Sequence, residues 1–186
     1  KITLQQLLAH RSGLGDIFNE RFTPEAATGL RTLADHLPLF TGKPLQFEPG
    51  TDQRYSNAGY VVLGLVVERI TGQRFADVAH ERIFVPAGMS AAAWLRRDAL
   101  PGDAAIGYTR EGWQEERERS RSAKSPDDPQ RSGLLRHPNS LELPAIGSSA
   151  GGSYSTARDL LAFALALAEN RLGGPERYAQ QGGLGL

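Results

Sequence analysis

Phe47-Glu48-Pro49-Gly50 leads through Thr51-Asp52-Gln53-Arg54 into Tyr55-Ser56-Asn57-Ala58-Gly59-Tyr60, and the reading of the chain turns on this stretch. It joins a proline-glycine turn to the most apolar segment of the sequence, Tyr60 to Ile70. Tyr55 and Asn57 are two positions apart, so an extended backbone points both side chains the same way. Spacing alone favours a buried tyrosine with its hydroxyl bonded, followed by an asparagine N-cap. The alternative is a phenol that moves protons beside a carboxamide that binds a substrate amide or carbonyl. A free phenol titrates near ~10, so that role needs a neighbouring cation or a coupled proton transfer.

Working outward, the segment from Ala58 to Thr71 predicts a helix that stops at Thr71-Gly72 and is apolar on nearly every side, hence buried all round. Gly64 in its middle costs about 1 kcal/mol relative to alanine and suggests close approach of another backbone. Before it, Thr3 and Gln6 fit a capping box for a short helix ended by Gly13. Thr23-Pro24-Glu25 opens a second helix expected to run to about Leu39. After it, a fourth helix covers Phe75 to Phe84 and stops before Pro86. Leu141 to Ile146 is a short strand candidate, weakened by Pro144. Thr156 and Asp159 form another capping box, for a helix with Leu160, Leu161, Phe163, Ala164 and Leu167 on its core side.

The chain has 186 residues with 40% hydrophobic content, enough for one domain or a large part of one. Its 21 basic and 21 acidic residues balance, which argues against a nucleic-acid or anionic-membrane partner recognised by bulk charge. There is no cysteine, so disulfides and cysteine-ligated metals are excluded. No run reaches the ~18 apolar residues of a membrane span. His10, His36, His80 and His137 stand far apart with no ligand spacing, so they read as scattered surface or cap histidines, and no cofactor is expected. Residues 110–137 mix charges and prolines and read as a charged loop or insertion. The opening on Lys1 and the close on Gly182-Gly183-Leu184-Gly185-Leu186, which reads as a strand beginning, point to an internal fragment.

Gly147-Ser148-Ser149-Ala150-Gly151 formally matches G-x-S-x-G, the nucleophile elbow of the α/β-hydrolases. An elbow needs strand, sharp turn and immediate helix, and here the helix cap waits until Thr156. No histidine follows His137 to complete a triad. The alternative is a glycine-rich turn chosen for backbone freedom.

A set of segments in fixed order resembles the serine β-lactamase and penicillin-binding-protein superfamily, in the branch with class C β-lactamases, esterases and D-amino-acid peptidases. They are Ile2-Thr3-Leu4 through His10-Arg11-Ser12-Gly13-Leu14; Phe47 to Gly50 into Tyr55 to Tyr60; Leu63-Gly64 with Glu68 and Thr71-Gly72; Ile83 to Met89; and Gly151 to Leu160. Pro86-Ala87-Gly88-Met89 departs from the usual P-L-G-M, a change in packing rather than chemistry.

The resemblance implies a mixed α/β (α+β) fold of β-lactamase/transpeptidase type, an antiparallel sheet flanked by helices, with residues 1–186 a partial domain supplying mainly the helical region. It implies a site of three motifs: S-x-x-K, Y-x-N and K-T-G or H-x-G. Only Y-x-N is present, which makes Tyr55 catalytic and Asn57 substrate-binding. No serine or threonine here has a lysine three residues later, so the nucleophile is none of these residues. The implied activity of the intact protein is acyl-enzyme hydrolysis of an ester, β-lactam or D-amino-acid peptide, with this piece inactive alone. A non-catalytic homologue that binds penicillins or peptidoglycan-like peptides is the alternative, and an α/β-hydrolase using Ser149 a further one. The resemblance favours the periplasm or cell envelope, although cytoplasmic esterases of this type exist.

Overall fold

A computed structural model describes residues 1–109 and 137–173. The charged segment 110–136 and the glycine-rich C-terminal stretch lie outside the described residues. Helices dominate: α1 (Leu4–Leu8), α2 (Pro24–Gly29), a 3-10 turn (Ala34–His36) running into α3 (Leu37–Phe40), and α4 (Asn57–Thr71). Then come α5 (Phe75–Ala79), a π turn (His80–Phe84), α6 (Val85–Ala87) and, after a second 3-10 turn (Asn139–Glu142), α7 (Ala157–Ala168). One antiparallel pair joins β1 (Tyr108–Thr109) to β2 (His137–Pro138), with Tyr108 opposite Pro138.

Local chemistry sets most helix starts. Thr3 and Gln6 form the expected reciprocal capping box on α1. Thr23 caps α2, with Pro24 in its first turn. Helix α4 begins at a different cap from the one expected. The Ser56 hydroxyl accepts from Gly59 N–H at 3.1 Å and donates to the Gly15 carbonyl at 2.8 Å. Asn57 is therefore the first helical residue, and its side chain is released from capping. The helix closes on Gly72, in left-handed conformation, whose N–H returns to the Glu68 carbonyl.

Several expectations are corrected. The second helix breaks after Gly29, because the Asp35 carboxylate accepts from the Arg31 and Thr32 amides and starts a new turn there. That same bonding, against a desolvation cost, leaves Asp35 below the ordinary carboxylate pKa. His10 (φ 57°), directly after the Ala9 cap, takes the first left-handed position after α1, and Gly13 (φ 75°), also left-handed, lies three residues beyond it. The fourth helix continues through Pro86 to Ala87, with the π turn widening just where a proline cannot donate. Leu141 to Ile146 is not a strand: it begins in a 3-10 turn, and only Ile146 makes a bridge, to Arg96. His36 is buried rather than at the surface, and burial holds its imidazole below the ordinary histidine pKa.

Helix α4 is also not buried all round. Ala58 and Val61 face a core of Ile17, Phe22, Leu30, Leu39 and Phe40, and Gly64 is buried one turn further on, whereas Ile70 is 78% exposed. The neighbour that Gly64 admits is a side chain: a Cβ there would lie 2.2 Å from Ser149 Oγ and 2.6 Å from Leu33 Cδ1. A second core joins Phe84, Ala87, Met89 and Ala92 to Ala166 of α7. Its helix turns Asp159 and Ala166 inward and leaves Leu160, Leu161, Ala164 and Leu165 exposed, the reverse of the expected core side for Leu160, Leu161 and Ala164. Thr156 Oγ1 caps the Asp159 amide at 3.1 Å. The buried Asp159 carboxylate does more than cap, since it accepts from the Ala91 amide at 3.2 Å and ties α7 to the segment after α6.

Candidate active site

The loop from His10 to Asp16 and the start of α4 are laced together. His10 carbonyl accepts from Arg54 N–H at 2.9 Å, Arg11 carbonyl from Gly50 N–H at 2.8 Å, and Gly13 carbonyl from Gln46 N–H at 2.8 Å. These bonds lay the 46–54 segment beside the 10–13 loop, and the extended Ser56 delivers Tyr55 and Asn57 to one side.

Tyr55 is not a core tyrosine, being 64% exposed. Its hydroxyl donates to Asn57 Oδ1 at 3.2 Å. Its ring lies on the His10 imidazole, with centroids 4.6 Å apart, and Tyr60 flanks the same imidazole at 5.0 Å. His10 Nδ1 accepts from Ser56 N–H at 3.2 Å, which leaves Nε2 to carry the proton of the neutral ring. Among the described residues no lysine or arginine bonds the Tyr55 hydroxyl.

Asn57 reaches the other way to Asp16. Its Nδ2 stands 3.1 Å from both Asp16 carboxylate oxygens. Seen from one nitrogen, those oxygens are too close together to take two diverging amide hydrogens. One N–H is therefore shared between them and the other points elsewhere. This contact fixes which end of the carboxamide faces Tyr55. Asp16 Oδ1 also accepts from Phe18 N–H at 3.0 Å, which holds the carboxylate in a local turn. Tyr55, Asn57 and Asp16 thus form one chain of hydrogen bonds. Asp16 is its unforeseen member, and His10, packed against the Tyr55 ring, is an unforeseen neighbour. Asp16 lies 41 residues from Asn57, and no local spacing connects them.

Asn57 lines a cleft of ≈ 210 Å³, and Tyr55 does not. The walls are mostly apolar: Ile17 and Phe18 follow Asp16, Leu95 and Pro144 stand with them, and the turn from Gly147 to Gly152 closes one end. That turn needs its glycines. Gly152 has φ +88°, and a Cβ on Gly147 would lie 2.5 Å from the Gly152 carbonyl oxygen.

The same turn removes the elbow reading of Ser149. Its hydroxyl donates to the Tyr60 carbonyl at 2.8 Å, Ser148 and Gly151 bridge each other across the turn, and the helix begins only at Ala157. Ser12 is likewise buried in its turn, accepting from Leu14 N–H at 3.2 Å.

The β-lactamase family profile matches residues 1–183. This chain belongs to the β-lactamase family. It is similar to a solved penicillin binding protein from Bacillus halodurans, at 34% identity and a TM-score of 0.78 over 96% of this chain and 49% of that one. It is similar to a D-stereospecific amidohydrolase from Streptomyces sp., at 26% identity and a TM-score of 0.72, covering 95% of this chain and 49% of the other. A D-aminopeptidase from Cereibacter sphaeroides is 36% identical over 108 residues, which are 57% of this chain and 21% of the relative. The chain thus spans about half the length of the solved relatives. The fold is β-lactamase/penicillin-binding-protein-like, and in this chain the Tyr55-Ser56-Asn57 stretch opens α4, the longest helix among the described residues.

Proposed function

We propose that the protein containing this chain is a serine hydrolase that works through an acyl-enzyme, with Tyr55 catalytic and Asn57 substrate-binding. The observation that carries the reading is the exposed Tyr55 hydroxyl, held by Asn57 beside an apolar cleft in a β-lactamase-family chain. The intact protein has the mixed α/β fold, and the nucleophile and its lysine lie outside residues 1–186 in an S-x-x-K box. The serine Oγ attacks the substrate carbonyl while its proton passes to the Tyr55–lysine pair. Tyr55 then protonates the leaving group, and water releases the acyl group by the reverse transfers. Asn57 donates its second amide hydrogen to the substrate. Relatives named D-aminopeptidase, D-stereospecific amidohydrolase and penicillin binding protein support an amide, ester or β-lactam as the bond cleaved. The isolated 186 residues are inactive.

Asp16 is a positioning residue in this scheme. In the full-length protein, Asp16→Ala is expected to lower kcat/KM for a chromogenic ester about tenfold, the equivalent of one charge-assisted hydrogen bond. Asp16→Asn keeps an acceptor for both Asn57 and Phe18 and is expected to recover part of that loss. Steady-state kinetics beside a thermal melt read both effects. Full activity in Asp16→Ala would show that Asn57 needs no clamp.

A further inference from the structure

The cleft lined by Asn57 contains one charged residue among its described lining residues, Arg97. Arg97 is half-buried, and its Nη1 donates to the carbonyls of Ser140, at 2.8 Å, and Leu143. Those two bonds use both Nη1 hydrogens. The Nε–Nη2 edge has no partner among the described residues. That edge presents two parallel N–H groups, the fork that a planar carboxylate accepts in bidentate fashion. Among the described lining residues no acidic side chain is present to neutralise it. If Arg97 served only to tie down the 140–143 turn, one set of donors would suffice. The remaining edge stays available to a ligand in the cleft that Arg97 lines.

We infer that Arg97 is a specificity residue of the substrate cleft, selecting substrates that carry a carboxylate at the end remote from the bond cleaved. The inference rests on the serine-hydrolase reading and narrows it. Asn57 holds the amide or ester region, apolar walls hold the body of the substrate, and the Arg97 fork holds the carboxylate. A single guanidinium as the one charged group among the described lining residues matches a monoanion. A phosphate dianion would need further donors.

The test uses the full-length protein and two matched pairs of esters. One pair places the charge on the acyl side: the mono-p-nitrophenyl ester of glutaric acid and its methylated counterpart. The other places it on the leaving group: p-carboxyphenyl butyrate and its methyl ester. In at least one pair the ratio of kcat/KM values, charged over neutral, is expected to fall tenfold or more in Arg97→Gln, mainly through KM. A ratio unchanged within threefold in both pairs overturns the inference. Should Arg97→Gln fold poorly, the wild-type protein still decides. Raising the salt is expected to increase KM for the preferred charged ester and to leave its neutral partner unaffected. Equal salt responses within both pairs overturn the inference and leave the hydrolase reading standing. Failure to turn over any of the four esters overturns both.

Discussion

Tyr55→Phe in the full-length protein is expected to lower kcat for a chromogenic ester by ~10² or more, the usual worth of a positioned proton-transfer group. The substitution removes one oxygen and leaves the ring. Because Tyr55 is 64% exposed, the lost hydroxyl leaves no buried partner stranded. The ring contact with His10 at 4.6 Å survives in phenylalanine. Asn57 stays anchored through Asp16 on its other side. The melting temperature is therefore expected to change little, and the fall in kcat can be attributed to the proton rather than to folding. An unchanged kcat would remove Tyr55 from the chemistry.

The largest effect on stability is expected from Gly13→Ala. Gly13 has φ +75°, and a Cβ there would sit 2.3 Å from the Phe47 carbonyl oxygen. The obstacle is backbone and cannot rotate away. It belongs to the segment whose Gln46 amide bonds the Gly13 carbonyl at 2.8 Å. Left-handed backbone costs a residue with a Cβ roughly 1–2 kcal/mol, and forcing the two strands of chain apart adds about 1–3 kcal/mol. Gly72→Ala is the control: its φ is +70°, yet nothing lies within 4 Å of the new methyl group. Only the first cost applies there. Denaturant midpoints of the two variants separate the terms, and Gly13→Ala is expected to lose at least 1 kcal/mol more than Gly72→Ala. The loop it disturbs also carries His10 and Asp16, so activity is expected to fall with stability. Equal losses in the two variants would mean that the 47 segment yields easily.

What could be read from the sequence was local. The Thr3–Gln6 box, the Thr23-Pro24 start and the Gly72 stop each depend on residues within one turn, and each appears as expected. The pairing of Tyr55 with Asn57 also follows from a two-residue spacing, and the two side chains do meet. The rest depends on partners distant in the chain. Asn57 is freed because Ser56 takes the cap, and Ser56 is itself held by Gly15, 41 residues away. Asp159 looked like a local capping residue, but its carboxylate serves Ala91, 68 residues away. The second helix broke because a side chain four residues on, Asp35, competes for its amides. The apolar periodicity of α4 and α7 marked them as helices, but it could not say which face would meet Ile17 or Phe84.

In the proposed mechanism Tyr55 and Asn57 serve a serine outside these residues. The direct measurement is to incubate the full-length protein with an acylating ester or β-lactam, trap the adduct, and map it by peptide mass spectrometry. A single acylated serine within an S-x-x-K box outside residues 1–186 is expected, with its yield reduced in Tyr55→Phe. An adduct on Ser149, or on any other residue of this chain, would contradict it. So would a full-length protein with no S-x-x-K box and no adduct, which would be a binding protein rather than an enzyme.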